Sequence, residues 1–146
     1  MQHELSVIIS KGSYLEVFTV GEDGLDAFLN VNIYGRIAIL KLFRPLHEKK
    51  DLLLIVTENY QFCVVKYDEA SKEIKTHATG DVRDRVGRPA DAGILGLIDP
   101  LCRMIGLRMY NGVFKVIPVS KKGHFDTAYN VRLEEIGIID IVFLHG

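Results

Sequence analysis

Arg103-Met-Ile-Gly-Leu-Arg-Met-Tyr110, then Asn111-Gly112, then Val113-Phe-Lys-Val-Ile-Pro-Val119, is the stretch whose conformation decides the fold. Asn-Gly between two apolar runs is the strongest short-range signal for a β-hairpin, because a type I′ turn needs positive φ at both central residues. Met104, Ile105, Leu107 and Met109 on one strand and Val113, Phe114, Val116 and Ile117 on the other leave hardly any polar face. Strands of that kind suit a sheet covered on both sides.

Two similar hairpins precede this one. Val7 to Ser10, a turn at Lys11-Gly12-Ser13 and Leu15 to Val20 make the first. Leu53 to Thr57, a turn around Glu58-Asn59 and Phe62 to Tyr67 make the second. Superposing the second strands puts Val17, Val64 and Val116 in one column, at offsets of 47 and 52 residues. The residues after each hairpin repeat as well. A more polar extended stretch comes next (25–32, 73–79, 125–133), then a glycine and an apolar strand: Gly35 before Ile37 to Leu40, Gly93 before Ile94 to Ile98, Gly137 before Ile138 to Val142. Pro45 and Pro100 help end the first two of these, since proline lacks the donor a ladder needs. The unit is two inner strands, an outer strand, and a strand expected to be buried on both faces after a glycine turn. No amphipathic helix of ten or more residues is apparent.

Four-stranded antiparallel units of this length in tandem are the signature of β-propeller blades. A β-sandwich would show cleaner alternation and need not repeat. The expected fold is therefore all-β: one propeller segment over 1–146, with about three four-stranded antiparallel blades at 5–44, 52–99 and 103–144. Closure takes four to eight blades, so the segment is expected to be an open arc and not a closed ring. The absence of tryptophan removes the Trp-Asp signature of WD40 repeats, and no Gly-Gly doublet of the kelch kind occurs.

Composition narrows the function. Lysine plus arginine is 18 against 19 acidic residues, so no global field draws the chain to nucleic acid or an anionic membrane. Met1 to Ser10 has no signal-peptide core and no later apolar run has the length of a membrane span, which reads as a soluble, unsecreted chain. Cys63 and Cys102 lack Cys-x-x-Cys spacing and read as buried free thiols. The search for chemistry finds no nucleophile elbow, Walker loop or His-Glu-x-x-His, and His3, His47, His77, His124 and His145 are scattered. Glu134 and Glu135 are adjacent and would point to opposite sides of an extended chain, so they do not make a facing acid/base pair. Asp140, alone in an apolar strand, is expected to be a buried carboxylate bonded to a nearby turn. Lys121-Lys122-Gly123 and His47 to Asp51 are solvated turns. No catalytic residue, metal or cofactor is expected.

Several longer motifs carry a resemblance: Tyr34-Gly-Arg-Ile-Ala-Ile-Leu-Lys-Leu-Phe-Arg-Pro45, Gly87-Arg-Pro89, Ile98-Asp-Pro-Leu-Cys-Arg-Met-Ile-Gly-Leu-Arg-Met-Tyr110, Gly112-Val-Phe-Lys-Val-Ile-Pro118 and Val131-Arg-Leu-Glu-Glu135. From about Val7 onward the chain resembles the first propeller of the family formed by the large subunits of the damaged-DNA-binding protein, the polyadenylation specificity factor and a spliceosomal complex. Leu101 to Arg108 points to the DNA-damage branch, while the segment Asp68 to Lys75 is shorter than the family pattern. The resemblance implies a non-enzymatic scaffold of three propellers in nucleus and cytoplasm. It implies an adaptor joining interchangeable substrate receptors to a cullin-four RING ubiquitin ligase in the DNA damage response. The middle propeller would hold the cullin, the first and third would grip the receptor, and DNA would be reached through a receptor subunit. No membrane or small-molecule substrate is implied. The alternative is a nucleic-acid-associated propeller of a polyadenylation or splicing complex, which basic stripes with interleaved aromatics would favour.

Gly80 to Ala92 interrupts the repeat. It holds Arg83, Arg85 and Arg88, three of eight arginines, against Asp81, Asp84 and Asp91, so phosphate attraction is not its purpose. One expectation is a loop laced by its own ion pairs; the other is that Arg83, Arg85 and Arg88, beside the stiff Pro89, bind a protein partner, since arginine is enriched at interface hot spots.

Overall fold

The structure, a computed structural model, describes residues 5–85 and 87–144. Eleven strands run in order: β1 (Ser6–Lys11), β2 (Tyr14–Gly21), β3 (Gly24–Asn32), β4 (Ile37–Phe43), β5 (Leu52–Thr57), β6 (Gln61–Asp68), β7 (Glu73–Asp81), β8 (Leu95–Ile98), β9 (Met104–Tyr110), β10 (Val113–Pro118) and β11 (Tyr129–Arg132). They form three antiparallel sheets in the orders β1-β2-β3, β4-β5-β6-β7 and β8-β9-β10-β11. No helix occurs among the described residues. The three expected hairpins are β1-β2, β5-β6 and β9-β10.

The sheets stack face to face. Residues of β5 alternate between two cores, as the period of a strand requires. Leu52, Leu54 and Val56 pack toward the third sheet with Ile105, Leu107, Met109 and Ile117. Leu53 and Ile55 pack toward the first sheet with Leu15 and Val65. All six residues of β5 are therefore buried, and β9 is buried from Ile105 to Tyr110. Each fully buried Leu, Ile or Val stabilises by roughly 1.5–3 kcal/mol over leaving it in water.

Four expectations are revised. The Asn111-Gly112 turn is not type I′: Gly112 has φ +76°, but Asn111 is absent from the positive-φ residues, and a register shift between Val113 and Lys115 absorbs the twist instead. The strands after the glycines are not buried on both faces and are far less buried than β5 and β9, because β4 and β8 lie at sheet edges; Leu42 is 56% exposed. The repeat read along the sequence and the hydrogen-bonded sheets are out of step by one strand. The last strand of one repeat, β4 or β8, is the first strand of the next sheet. Consequently 138–144 belongs to no sheet among the described residues, and Asp140 is exposed, its Oδ1 accepting from the Ile141 N–H at 2.9 Å.

Candidate functional site

Connections on one rim join the sheets, and the longest of them, 81–95, is the loop that the sequence singled out. Its course is fixed by backbone and aromatic contacts. The Val82 N–H donates to the Tyr60 carbonyl at 2.8 Å, and the Val82 side chain is buried. Asp81 Oδ1 accepts from the Arg83 N–H at 2.8 Å, closing a tight turn of the kind Asp favours. The Asp84 N–H donates to the Tyr110 hydroxyl at 3.2 Å, and Asn130 Nδ2 donates to Asp84 Oδ2 at 3.3 Å. Gly87 lies on the Tyr110 ring so closely that a Cβ there would stand 2.4 Å from it. Beyond it the loop runs antiparallel to the end of β9: Pro89 bridges Tyr110, the Asn111 N–H donates to Arg88 O at 2.8 Å, and the Ala90 N–H donates to Met109 O at 3.0 Å.

Tyr110 is the hub of this arrangement. It is buried, and its ring stacks on Tyr60 at 5.0 Å between centroids. A buried tyrosine hydroxyl wants a partner, and here the loop backbone supplies one. The ion pair seen within the loop among the described residues is a weak one. Arg88 and Asp91 are 3.9 Å apart with side chains 79% and 70% exposed, a pair worth little in water.

The three arginines differ. Arg83 Nη2 donates to the Asn59 carbonyl at 3.2 Å, tying the loop to the β5-β6 turn. Arg85 is exposed, and no hydrogen bond or ion pair among the described residues holds it. Arg88 and Pro89 are exposed on the segment paired to β9. Tyr34, on the connection between the first and second sheets, is 89% exposed at φ +60°, a left-handed backbone uncommon for a bulky residue. Sequence reasoning missed Tyr34, Tyr60, Tyr110 and Asn130, although an aromatic directly before Asn-Gly at the end of a doubly buried strand was a visible sign of packing at that rim.

Two charged groups lie deeper. Arg108, on β9, is 2% exposed; its Nη1 donates to Ile138 O at 2.6 Å and its Nη2 to Gly93 O at 3.0 Å, while Nε has no partner. It fastens the loop end and the segment after β11 to one strand. On the opposite rim Asp99 is 2% exposed and receives Arg103 Nε at 2.6 Å, Nη2 at 3.2 Å and the Arg103 N–H at 3.1 Å. The hydrogen-bonded guanidinium holds its carboxyl down at about 2. Ile98 to Arg103 is thus a structural turn. Cys63 and Cys102 are free and half-buried, and burial pushes the Cys63 thiol up. His47 and His124 are exposed, and His77 meets the Gly123 carbonyl at 3.2 Å; His3 and His145 lie outside the described residues.

Comparison with known proteins matches these features to a family. DNA damage-binding protein 1 of Solanum lycopersicum is 52% identical over 143 residues, 98% of this chain and 13% of the relative. DNA damage-binding protein 1a of Arabidopsis thaliana is also 52% identical over 143 residues, and the protein of that name in Oryza sativa subsp. japonica is 49% identical over 144. The chain thus spans about 13% of the length of these relatives. Residues 1–146 match the family described as RSE1/DDB1/CPSF1 first beta-propeller, and with all-β stacked sheets, no helix among the described residues and these motifs in place, the chain belongs to that family.

Proposed function

We propose that this chain serves a DNA damage-binding adaptor: a non-catalytic propeller surface that helps link substrate receptors to a cullin-four RING ubiquitin ligase, in the nucleus and the cytoplasm. The observation that carries the proposal is the 81–95 rim loop. Ordering a loop this long costs conformational entropy, and its exposed Arg88–Asp91 pair does not offset that cost. The loop is nevertheless laid on Tyr110 and Tyr60, with Arg85 left unengaged and Arg88 and Pro89 exposed. Pre-organisation of exposed arginines lowers the entropy lost on binding, which is the property an interface needs. The near-neutral charge of the chain and the three aspartates in the loop favour a protein partner over a phosphate backbone.

The test is Arg85→Ala with Arg88→Ala in the full-length protein, with receptor and cullin affinities measured side by side. Receptor affinity is expected to fall about tenfold or more while cullin affinity holds. Unchanged receptor affinity would sink the assignment of this loop. Binding that falls in step with added salt on RNA or DNA, with no cullin association, would favour the RNA-processing branch instead.

A further inference from the structure

Tyr34 lies on the same rim as the 81–95 loop. Ile37 pairs with Thr57 and Gln61 with Asp81, so the 58–60 turn has the 33–36 connection on one side and the loop on the other. The turn is fastened to both. The Glu58 N–H donates to the Arg36 carbonyl at 2.8 Å, Arg36 Nε lies 3.5 Å from Glu58 Oε1, and Arg83 Nη2 donates to the Asn59 carbonyl at 3.2 Å.

The backbone around Tyr34 is held on several sides. The Ile33 N–H donates to Ser13 O at 2.8 Å, the Ile37 N–H to Gly12 O at 2.9 Å and the Tyr34 N–H to Asn32 Oδ1 at 2.9 Å. A Cβ on Gly35 would stand 3.0 Å from the Thr57 side chain. The Tyr34 side chain is the opposite case. Among the described residues its hydroxyl has no hydrogen-bond partner and its ring meets no other aromatic.

Tyrosine is a poor choice for such a backbone, since glycine or asparagine adopts the left-handed region more easily. Tyr60, Lys72 and Cys102 are the other described non-glycine residues at positive φ. Tyr60 and Cys102 recover packing against the core, and Lys72 carries a flexible chain in the β6-β7 turn. Tyr34 recovers no packing and places a large ring in water. Backbone strain kept with no return in packing points to a functional position. A rigid, exposed tyrosine beside arginines has the composition of an interface hot spot.

We infer that Tyr34 anchors the substrate receptor at this rim, its ring packing against an apolar side chain of a docking segment whose acidic residues face the loop arginines. The inference rests on the reading of the rim as a receptor surface. Arg36 already has Glu58, whereas Arg85 is exposed and unengaged, so a carboxylate of the partner has a cation to meet. Glu58, Asp81, Asp84 and Asp91 share the rim and repel a phosphate backbone.

The test uses full-length protein carrying Tyr34→Gly, Tyr34→Asn or Tyr34→Phe, with receptor affinity, cullin affinity and the denaturant midpoint measured on each. Glycine and asparagine both suit the left-handed backbone, so these two variants should weaken receptor binding about tenfold or more while cullin affinity holds and the midpoint is not lowered. Tyr34→Phe keeps the ring and should bind within about threefold of wild type. Unchanged receptor affinity in Tyr34→Gly would overturn the inference. So would a lowered midpoint or a parallel loss of cullin binding, because either would give Tyr34 a structural role. Receptor binding that falls in the Arg85→Ala, Arg88→Ala protein but holds in Tyr34→Gly would remove the anchor and leave the loop assignment standing; binding that holds in both would remove both. Loss of single-stranded RNA binding in Tyr34→Gly, with the receptor unaffected, would overturn the inference in favour of base stacking on the ring.

Discussion

The middle sheet and the first sheet are built from the same kind of sequence and have different fates. In the middle sheet β5 is buried at every residue because another sheet covers each face. In the first sheet β2 buries Leu15 fully, but the rest of the strand is half-buried or exposed, and Ile9, Val20 and Leu25 face water at 38%, 39% and 51%. An apolar strand is therefore a request for two neighbours, and its burial reports how many it has. Stability should concentrate where both are present.

The largest expected effect sharpens that contrast. Leu54→Ala, at 0% exposure between the middle and third sheets, should cost about 2–5 kcal/mol of unfolding free energy, whereas Leu25→Ala on the open face should cost under about 1 kcal/mol. Denaturant titration of the two variants measures both. Similar costs would mean that the first sheet is covered after all.

Next in size comes the charge that shares the rigidity of the stacked core. Asp99→Ala should cost about 1–3 kcal/mol by leaving the Arg103 guanidinium and backbone N–H without their acceptor. Its folded carboxyl sits at about 2, below the ordinary 3.8, so its contribution is present above about pH 4 and lost as pH falls toward 2. Acid titration of the wild-type chain should show that loss, and Asp99→Asn should flatten it.

Smaller effects separate scaffold from surface at the rim. Tyr110→Phe removes the acceptor of the Asp84 N–H and should cost about 0.5–1.5 kcal/mol, with faster amide exchange confined to 81–90. Arg88→Ala should change stability by less than about 0.5 kcal/mol, since its ion pair is exposed, so any loss of partner binding would come from the surface itself.

Much of this was legible in the sequence. Asn111-Gly112, the column Val17, Val64 and Val116, and the glycines before apolar strands give the hairpins, the repeat and the propeller class. The assignment of β4 and β8 to sheets was not legible, because a strand at the end of a repeat can pair backward or forward with the same apolar pattern. The turn type was missed because Asn tolerates both signs of φ, and a bulge one residue later supplied the twist. Asp140 was expected to be buried because its neighbours are apolar, but burial depends on a facing sheet that periodicity does not reveal. At the rim, the composition of Gly80 to Ala92 marked the loop. Its dependence on Tyr110 and Tyr60 required contacts between residues 26 positions apart, Asp84 and Tyr110 among them.

The stacking of sheets is the claim on which everything else rests, and native-state hydrogen exchange tests it directly. Amides of β5 should exchange only through global unfolding. Those of β2, a central strand of equal pairing, should exchange at least about a hundredfold faster through opening of the first sheet. Equal protection of β5 and β2 would contradict the account, because it would mean that pairing within a sheet, and not cover on both faces, holds this fold together.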